Sequence, residues 1–218
     1  MKDKSIKLSI QEFLDDFGRN GVKAVCLKDS ELLSKAILIS SFIHLEQRDK
    51  GGHPYQLHCL RVMDSVKHFG ARTQMAAVLH DSIEDGARKM LRQLPSLFGI
   101  SGKFSNLDTK LPNVNEQTEE CLNLLGEIGF PKEVTDAISL LTKREVRASD
   151  QDEHYYNYIS AIGDNLIATR VKMADITDNS QVTRLKGVSE RDKERVDKYN
   201  KSFLYLSMCE TRLKNKCQ

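Results

Sequence analysis

No stretch of this sequence is apolar for long enough to cross a membrane, no CxxC or zinc-ribbon spacing organises its cysteines, and no block of like charge dominates it. Each absence removes a class. The most apolar run, Ala36 to Leu45, falls far short of the roughly 20 residues a spanning helix needs. The N-terminal MKDKSIKLSI turns polar and acidic before a signal-type apolar segment forms. The five cysteines, Cys26, Cys59, Cys121, Cys209 and Cys217, are odd in number and scattered, so reduced thiols and a cytoplasmic location are expected. With 33 basic against 31 acidic residues the net charge is only +2, and no long basic run with interleaved aromatics appears, which argues against nucleic acid as a partner. No alternating β-branched run bounded by hairpin turns is found, and no repeat or heptad specifies an oligomer, although one is compatible with the chain.

What is present is helical periodicity. Leu33, Ala36, Ile37 and Ile43 follow Asp29 and Ser30, which are placed to cap a helix. Pro54 opens a second helix carrying His58, and Pro131 to Thr142 has proline in its first turn with Val134, Ile138 and Leu141 at helical spacing. Ser189 and Asp192 form a capping pair ahead of a long helix bearing Val196, Tyr199, Phe203, Leu206 and Leu213. The fold class is therefore all-α. At 218 residues, 39% hydrophobic and 29% charged, one domain is expected, with its core over about 30–210 and an insertion at about 86–117. That insertion reads as a short helix around Leu91, Leu94, Leu97 and Phe98, then a long polar loop that is either a lid or surface decoration. Residues 146–154 read as a solvated connection to a Tyr-rich helix starting near Tyr155.

The chemistry is concentrated at His80 and Asp81, which end the apolar run MAAVL. An imidazole and a carboxylate at the end of a buried segment need something that offsets their desolvation. A divalent cation does so, and His58 in HPYQLH with Asp175 in VKMADITDN completes a mixed nitrogen and oxygen ligand set. Such a set suits Mn²⁺, Fe²⁺ or Zn²⁺ and leaves positions for water and a phosphoryl oxygen, as a catalytic ion requires. A continuous helix from Thr73 to Asp85 would place Glu84 and Asp85 one turn beyond His80 and Asp81, facing the water to be activated. A helix over Asn165 to Asn179 aligns Val171, Asp175 and Asn179. Arg48, Lys50, Lys143, Arg144 and Lys172 cluster beside these motifs as cationic candidates for a phosphorylated substrate. Cys59 points to another side of its helix from His58 and is read as packing.

In this order and spacing, PYQLH, LHDSIED and VKMADITDN resemble the HD-domain phosphohydrolases, and among them the hydrolase domain of the RelA/SpoT-type proteins and the small alarmone hydrolases. With DKGGHPYQLHCLRVM, FPKEVTDAISLLTKRE and RVDKYNKSFLYL the resemblance covers most of Ser34 to Leu206, with gaps. It implies an all-helical HD-domain bundle, Mn²⁺ held by His58, His80, Asp81 and Asp175, and release of pyrophosphate from guanosine, or adenosine, 3′,5′-polyphosphates. It also implies that Glu84 and Asp85 assist the attacking water, that Lys50 and Lys143 contact phosphate, and that Asn179, Arg195 and Tyr199 line the substrate pocket. With 218 residues leaving no length for the synthetase domain of the bifunctional relatives, the resemblance implies a hydrolase only. One departure stands out: many alarmone hydrolases carry Arg-Lys ahead of their Gly-x-Pro-Tyr segment, whereas Asp49 precedes Lys50 here, with Arg48 one position away. Two alternatives follow: an HD phosphohydrolase acting on another nucleotide or a nucleotide cofactor, and a nucleotide-binding regulator without catalysis.

Overall fold

Helices account for nearly all the regular structure. A computed structural model describes residues 22–100, 104, 113–144, 151–181 and 189–216. Among them are nine α-helices: α1 (Val22–Ile43), α2 (Gln56–Ser65), α3 (Ala71–Leu79), α4 (Ser82–Leu97), α5 (Val114–Ile128), α6 (Lys132–Leu141), α7 (Gln151–Ile162), α8 (Leu166–Asn179) and α9 (Glu190–Lys216). A 3₁₀ turn at Lys67–Phe69 joins α2 to α3, and the described residues contain no strand beyond an isolated bridge between Arg48 and Pro54. The fold is all-α.

The short helix α3 is the hub. It packs against α1, α2, α6 and α8, and Met75, Ala76, Ala77, Val78 and Leu79 are all fully buried. That second half of the helix is covered on every side and has no polar face to display, which is why it is a continuous apolar run, while Arg72 and Gln74 in the first half are only partly buried. Every one of the nine helices contributes to the buried hydrophobic cluster. In α1 the covered stripe is Leu32, Ala36, Ile39 and Ile43, with Leu33 and Ile37 only partly buried. Asp29 and Ser30 lie inside α1 rather than capping it, and Asp29 accepts a hydrogen bond from Arg72 Nε at 2.9 Å.

Local chemistry sets several boundaries where the sequence indicates them. The Asn165 side chain accepts from Ala168 N–H at 2.9 Å and starts α8. Ser189 and Asp192 cap α9 reciprocally, with Ser189 N–H donating to Asp192 Oδ2 at 3.1 Å and Asp192 N–H to Ser189 Oγ at 3.3 Å. Gly129 adopts φ 106° after α5, the left-handed conformation that lets Phe130 N–H reach Leu125 O at 3.1 Å. Pro131 precedes α6, whose Val134, Ala137, Ile138 and Leu141 are buried.

Other expectations also require correction. The helix expected to run unbroken from Thr73 to Asp85 is two helices, because α3 ends at Leu79 and α4 starts at Ser82, with Asp81 at φ −102°, ψ −5° between them. The break lets His80 and Asp81 turn toward a common point, which consecutive residues of one helix, about 100° apart, do less well. The insertion at 86–117 begins with a short helix, as expected: Gly86, at φ −145° and ψ 24°, breaks α4 in two, and the part after it carries Leu91, Leu94 and Leu97. At its other end α5 already starts at Val114, inside the stretch expected to be loop. Most of its polar stretch, and with it the lid, lies outside the described residues. The Tyr-rich helix α7 starts at Gln151, earlier than Tyr155, while the preceding connection is likewise outside them.

Gly86 has a packing role. A Cβ built there would lie 2.5 Å from Ile43 Cγ2, so α1 and α4 approach as they do only because that residue has no side chain. The same contact region places Lys89 Nζ at 2.6 Å from Phe42 O, anchoring α4 to the end of α1 beside the site.

Candidate metal centre

Four elements deliver one side chain each to a single point. His58 comes from the first turn of α2, His80 from the end of α3, Asp81 from the α3–α4 break and Asp175 from the middle of α8. His58 Nε2 lies 3.3 Å from His80 Nε2, 3.3 Å from Asp175 Oδ1 and 3.8 Å from Asp81 Oδ2. His80 Nε2 lies 2.9 Å from Asp81 Oδ2 and 3.6 Å from Asp175 Oδ1. Ligand atoms ~2.1 Å from one ion and ~90–110° apart are roughly 3.0–3.4 Å from one another. The separations among His58, His80 and Asp175, 3.3 to 3.6 Å, come close to that spacing, so a divalent cation fits these three with small adjustments. Among the described residues, His58, His80 and Asp175 are the set of such side chains whose ligand atoms all fall within 4.8 Å of one another. Asp81 adjoins it through both imidazoles. The other three are 2–5% exposed, while the Asp81 side chain is 22% exposed and marks the open side.

The imidazoles are aimed from behind. His80 Nδ1 lies 2.7 Å from Ala77 O, and His58 Nδ1 lies 2.7 Å from Asp178 Oδ2. A proton on each Nδ1 satisfies these acceptors and leaves each Nε2 lone pair facing the centre. The carboxylates are held as well: Tyr55 OH donates to Asp81 Oδ2, Asn179 Nδ2 donates to Asp175 Oδ1, and Lys172 Nζ lies 2.8 Å from Asp175 Oδ2.

Electrostatics follow from this crowding. Burial works against a charged His80, but Asp81 and Asp175 outweigh it and hold its pKa well above the ordinary value. His58 is raised by the same balance of burial against Asp175 and Asp178. Burial likewise opposes ionisation of Asp175, yet Lys172 and the two imidazoles keep it well below the usual carboxylate range, and His80 does the same for Asp81. In such a centre protons on the imidazoles supply the positive charge that a bound cation would otherwise provide.

Glu84 and Asp85 lie on the next turn, and each has a fixed partner. Lys143 Nζ reaches Glu84 Oε1 at 3.1 Å, and Gln47 Nε2 donates to Asp85 Oδ2 at 2.9 Å. Gln47 is itself bonded through Oε1 to Nδ1 of the buried His44 at 2.6 Å. Burial raises the pKa of Asp85, the Gln47 hydrogen bond opposes that rise, and the nearby charge of Asp81 reinforces it.

Beside Tyr55 opens a cavity of about 380 Å³ lined by Arg48, Asp49, Lys50, Gly51, Tyr55, Asn179, Gln181, Arg195 and Tyr199. It gathers Arg48, Lys50, Asn179, Arg195 and Tyr199, five of the residues expected to contact substrate. Arg144 is not among them: its guanidinium is engaged by Glu119 at 2.8 Å and by Ser139 Oγ at 3.0 Å. Lys143 stands at Glu84, and Lys172 is committed to Asp175. Cys59 is fully buried with its thiol pushed up to about 11, as a packing residue would be.

Sequence reasoning missed Tyr55, Asp178, Arg61 and the Gln47–His44 pair. Tyr55 stands inside HPYQLH, so proximity to His58 is the available signal, whereas Gln47 lies two residues ahead of DKGGHPYQLHCLRVM and carries none. Asp178 carries only a weak one, its place three residues after Asp175 on the same helix. No protein-family model matches the chain, and comparison with curated proteins finds no similar sequence. Among the described residues no helix is long and apolar enough to cross a membrane.

Proposed function

We propose that this chain is a divalent-metal-dependent phosphohydrolase of the HD-domain type that releases pyrophosphate from guanosine, or adenosine, 3′,5′-polyphosphates, with Mn²⁺ as its ion. The observation that carries this reading is the juxtaposition of a two-histidine, two-aspartate centre with a cavity lined by Arg48, Lys50 and Arg195. A cation held by His58, His80, Asp81 and Asp175 would lower the pKa of water and neutralise charge on a phosphoryl group. Asp85, with its raised pKa, is suited to accept the proton that the attacking water gives up. Glu84, held by Lys143, orients water or carries that proton onward. Arg48, Lys50 and Arg195 neutralise the remaining phosphates, Tyr199 offers its ring to the base, and Tyr55 holds Asp81 in place. Water adds to phosphorus and gives up a proton, the bond from phosphorus to the 3′ oxygen breaks and that oxygen takes up a proton, and pyrophosphate and a nucleoside 5′-di- or triphosphate leave.

One feature favours a second reading, an HD phosphohydrolase for another nucleotide. Asp49, at the position where many alarmone hydrolases carry arginine, shapes the loop instead: its Oδ1 accepts from Gly51 N–H and His53 N–H, both at 2.9 Å. The test is incubation with guanosine tetraphosphate and Mn²⁺, with products resolved by chromatography. GDP and pyrophosphate, lost on chelation and in Asp81→Ala, support the first reading. Intact guanosine tetraphosphate together with cleavage of another nucleotide ester selects the second.

A further inference from the structure

We propose that Asp178 and Arg61 are a positioning pair that aims His58 at the metal ion and strengthens it as a ligand. This rests on the metal centre of the proposed function but adds residues to which the sequence assigned no part.

The geometry is specific. Asp178 Oδ2 sits 2.7 Å from His58 Nδ1, across 120 positions of sequence, and only 4% of Asp178 is exposed. Arg61 holds the same carboxylate with a fork, Nε to Oδ1 at 2.7 Å and Nη2 to Oδ2 at 3.1 Å. A buried carboxylate held by a ligand imidazole and by a guanidinium fork has a defined orientation. His58 and Arg61 are one turn apart on α2, so helix geometry presents both to Asp178 on α8. The pair lines no part of the substrate-side cavity. Arg61 and Asp178 line a second cavity of about 400 Å³ with Leu57 and Asp64, which shares Gln181 alone with the one that Lys50 and Tyr199 line. Any effect on turnover therefore acts through His58. His80 has a backbone carbonyl in the equivalent place, so the two imidazoles are unequal: one is backed by a neutral acceptor, the other by an anion.

An anion behind Nδ1 makes the ring a stronger donor to a cation at Nε2, and fixes the tautomer and ring plane. Arg61 stabilises that anion in its buried place and sets its direction.

The test uses metal-depleted full-length protein and the Mn²⁺ dissociation constant, read from the electron paramagnetic resonance signal of free Mn²⁺. Asp178→Ala weakens binding about 10- to 100-fold. Asp178→Asn, whose amide oxygen still accepts from Nδ1–H, recovers part of that loss. Arg61→Met shifts the constant in the parent and leaves it unchanged in Asp178→Ala, because it acts through the carboxylate. A folded Asp178→Ala whose Mn²⁺ affinity stays within about twofold of the parent overturns the proposal; a pair that only supports the fold would lower the unfolding midpoint without moving that affinity. If Asp178→Ala does not fold, Asp178→Asn at parental affinity overturns it equally. A parent that binds no Mn²⁺ refutes the metal reading itself, whereas a parent that binds normally beside unaffected variants refutes only the pair.

Discussion

Replacing Lys172 by methionine keeps most of the length of the side chain and removes its charge from beside Asp175. The ammonium is 2.8 Å from Asp175 Oδ2, with both side chains 10% exposed or less. At an effective dielectric of ~20 that separation is worth about 6 kcal/mol of gross attraction. Most of it is offset by the desolvation of two buried ions, and removal of one partner of such a pair costs about 3–5 kcal/mol. Here the imidazoles of His58 and His80, 3.3 and 3.6 Å from Asp175 Oδ1, still compensate the carboxylate. The expected loss in metal-free protein is therefore nearer 2–3 kcal/mol, a fall of about 1 M in the urea midpoint for a slope near ~2 kcal/mol per M.

The loss should also depend on pH, with a definite sign. Both imidazoles have pKa values raised above their ordinary 6.5, so the stability they contribute is full below about that pH and fades as pH rises through their folded values. Removing Lys172 then costs more at high pH, where the imidazoles no longer compensate Asp175. Asp175 and Asp81 work in the opposite direction: with pKa values depressed below their ordinary 3.8, their contribution is lost as pH falls through the folded values. Urea melts at several pH values, with and without saturating Mn²⁺, test this directly. A Lys172→Met change below about 0.5 kcal/mol at every pH would refute the charge accounting, because that is within the range of an ordinary surface substitution.

Other expectations are narrower. Asp85→Asn should lower the hydrolytic rate about 10²–10⁴-fold with little effect on Mn²⁺ affinity, and in the parent kcat should rise with pH as Asp85 loses its proton, a limb displaced above the ordinary 3.8 and absent from the variant. Gly86→Ala should destabilise by about 1–3 kcal/mol in thermal or urea unfolding, since its Cβ would sit 2.5 Å from Ile43 Cγ2, and Ile43→Ala in the same chain should recover part of the loss. Lys50→Ala should raise KM for a polyphosphate substrate several-fold while Arg144→Ala leaves it unchanged, because Lys50 lines the cavity and Arg144 is engaged by Glu119 and Ser139.

How much of this was legible in the sequence differs from residue to residue. His80 and Asp81 were visible because polar groups ending a five-residue apolar run conflict with burial unless something compensates them, and that conflict is local. The all-α class was visible because periodicity, prolines at first turns and the Ser189–Asp192 cap agree. The break between α3 and α4 was hidden, since no glycine or proline punctuates His80–Asp81 and the helical pattern runs through it. Asp178 was hidden for another reason: its role exists only when α8 meets α2, and in the chain it reads as one more acid among 31. Arg144 shows the converse. Adjacency to Lys143 made it a phosphate candidate, but consecutive residues leaving a helix point apart, and its fork turns to α5 and α6.

The central claim is that four side chains hold one divalent cation, and titration of metal-depleted protein with Mn²⁺, combined with an anomalous-scattering map of the loaded crystal, tests it most directly. The account requires one ion per chain lying between His58 Nε2, His80 Nε2, Asp81 Oδ2 and Asp175 Oδ1, with binding lost in His80→Ala and Asp81→Ala. Saturation without an anomalous peak at that point, or undiminished binding in both variants, would contradict it.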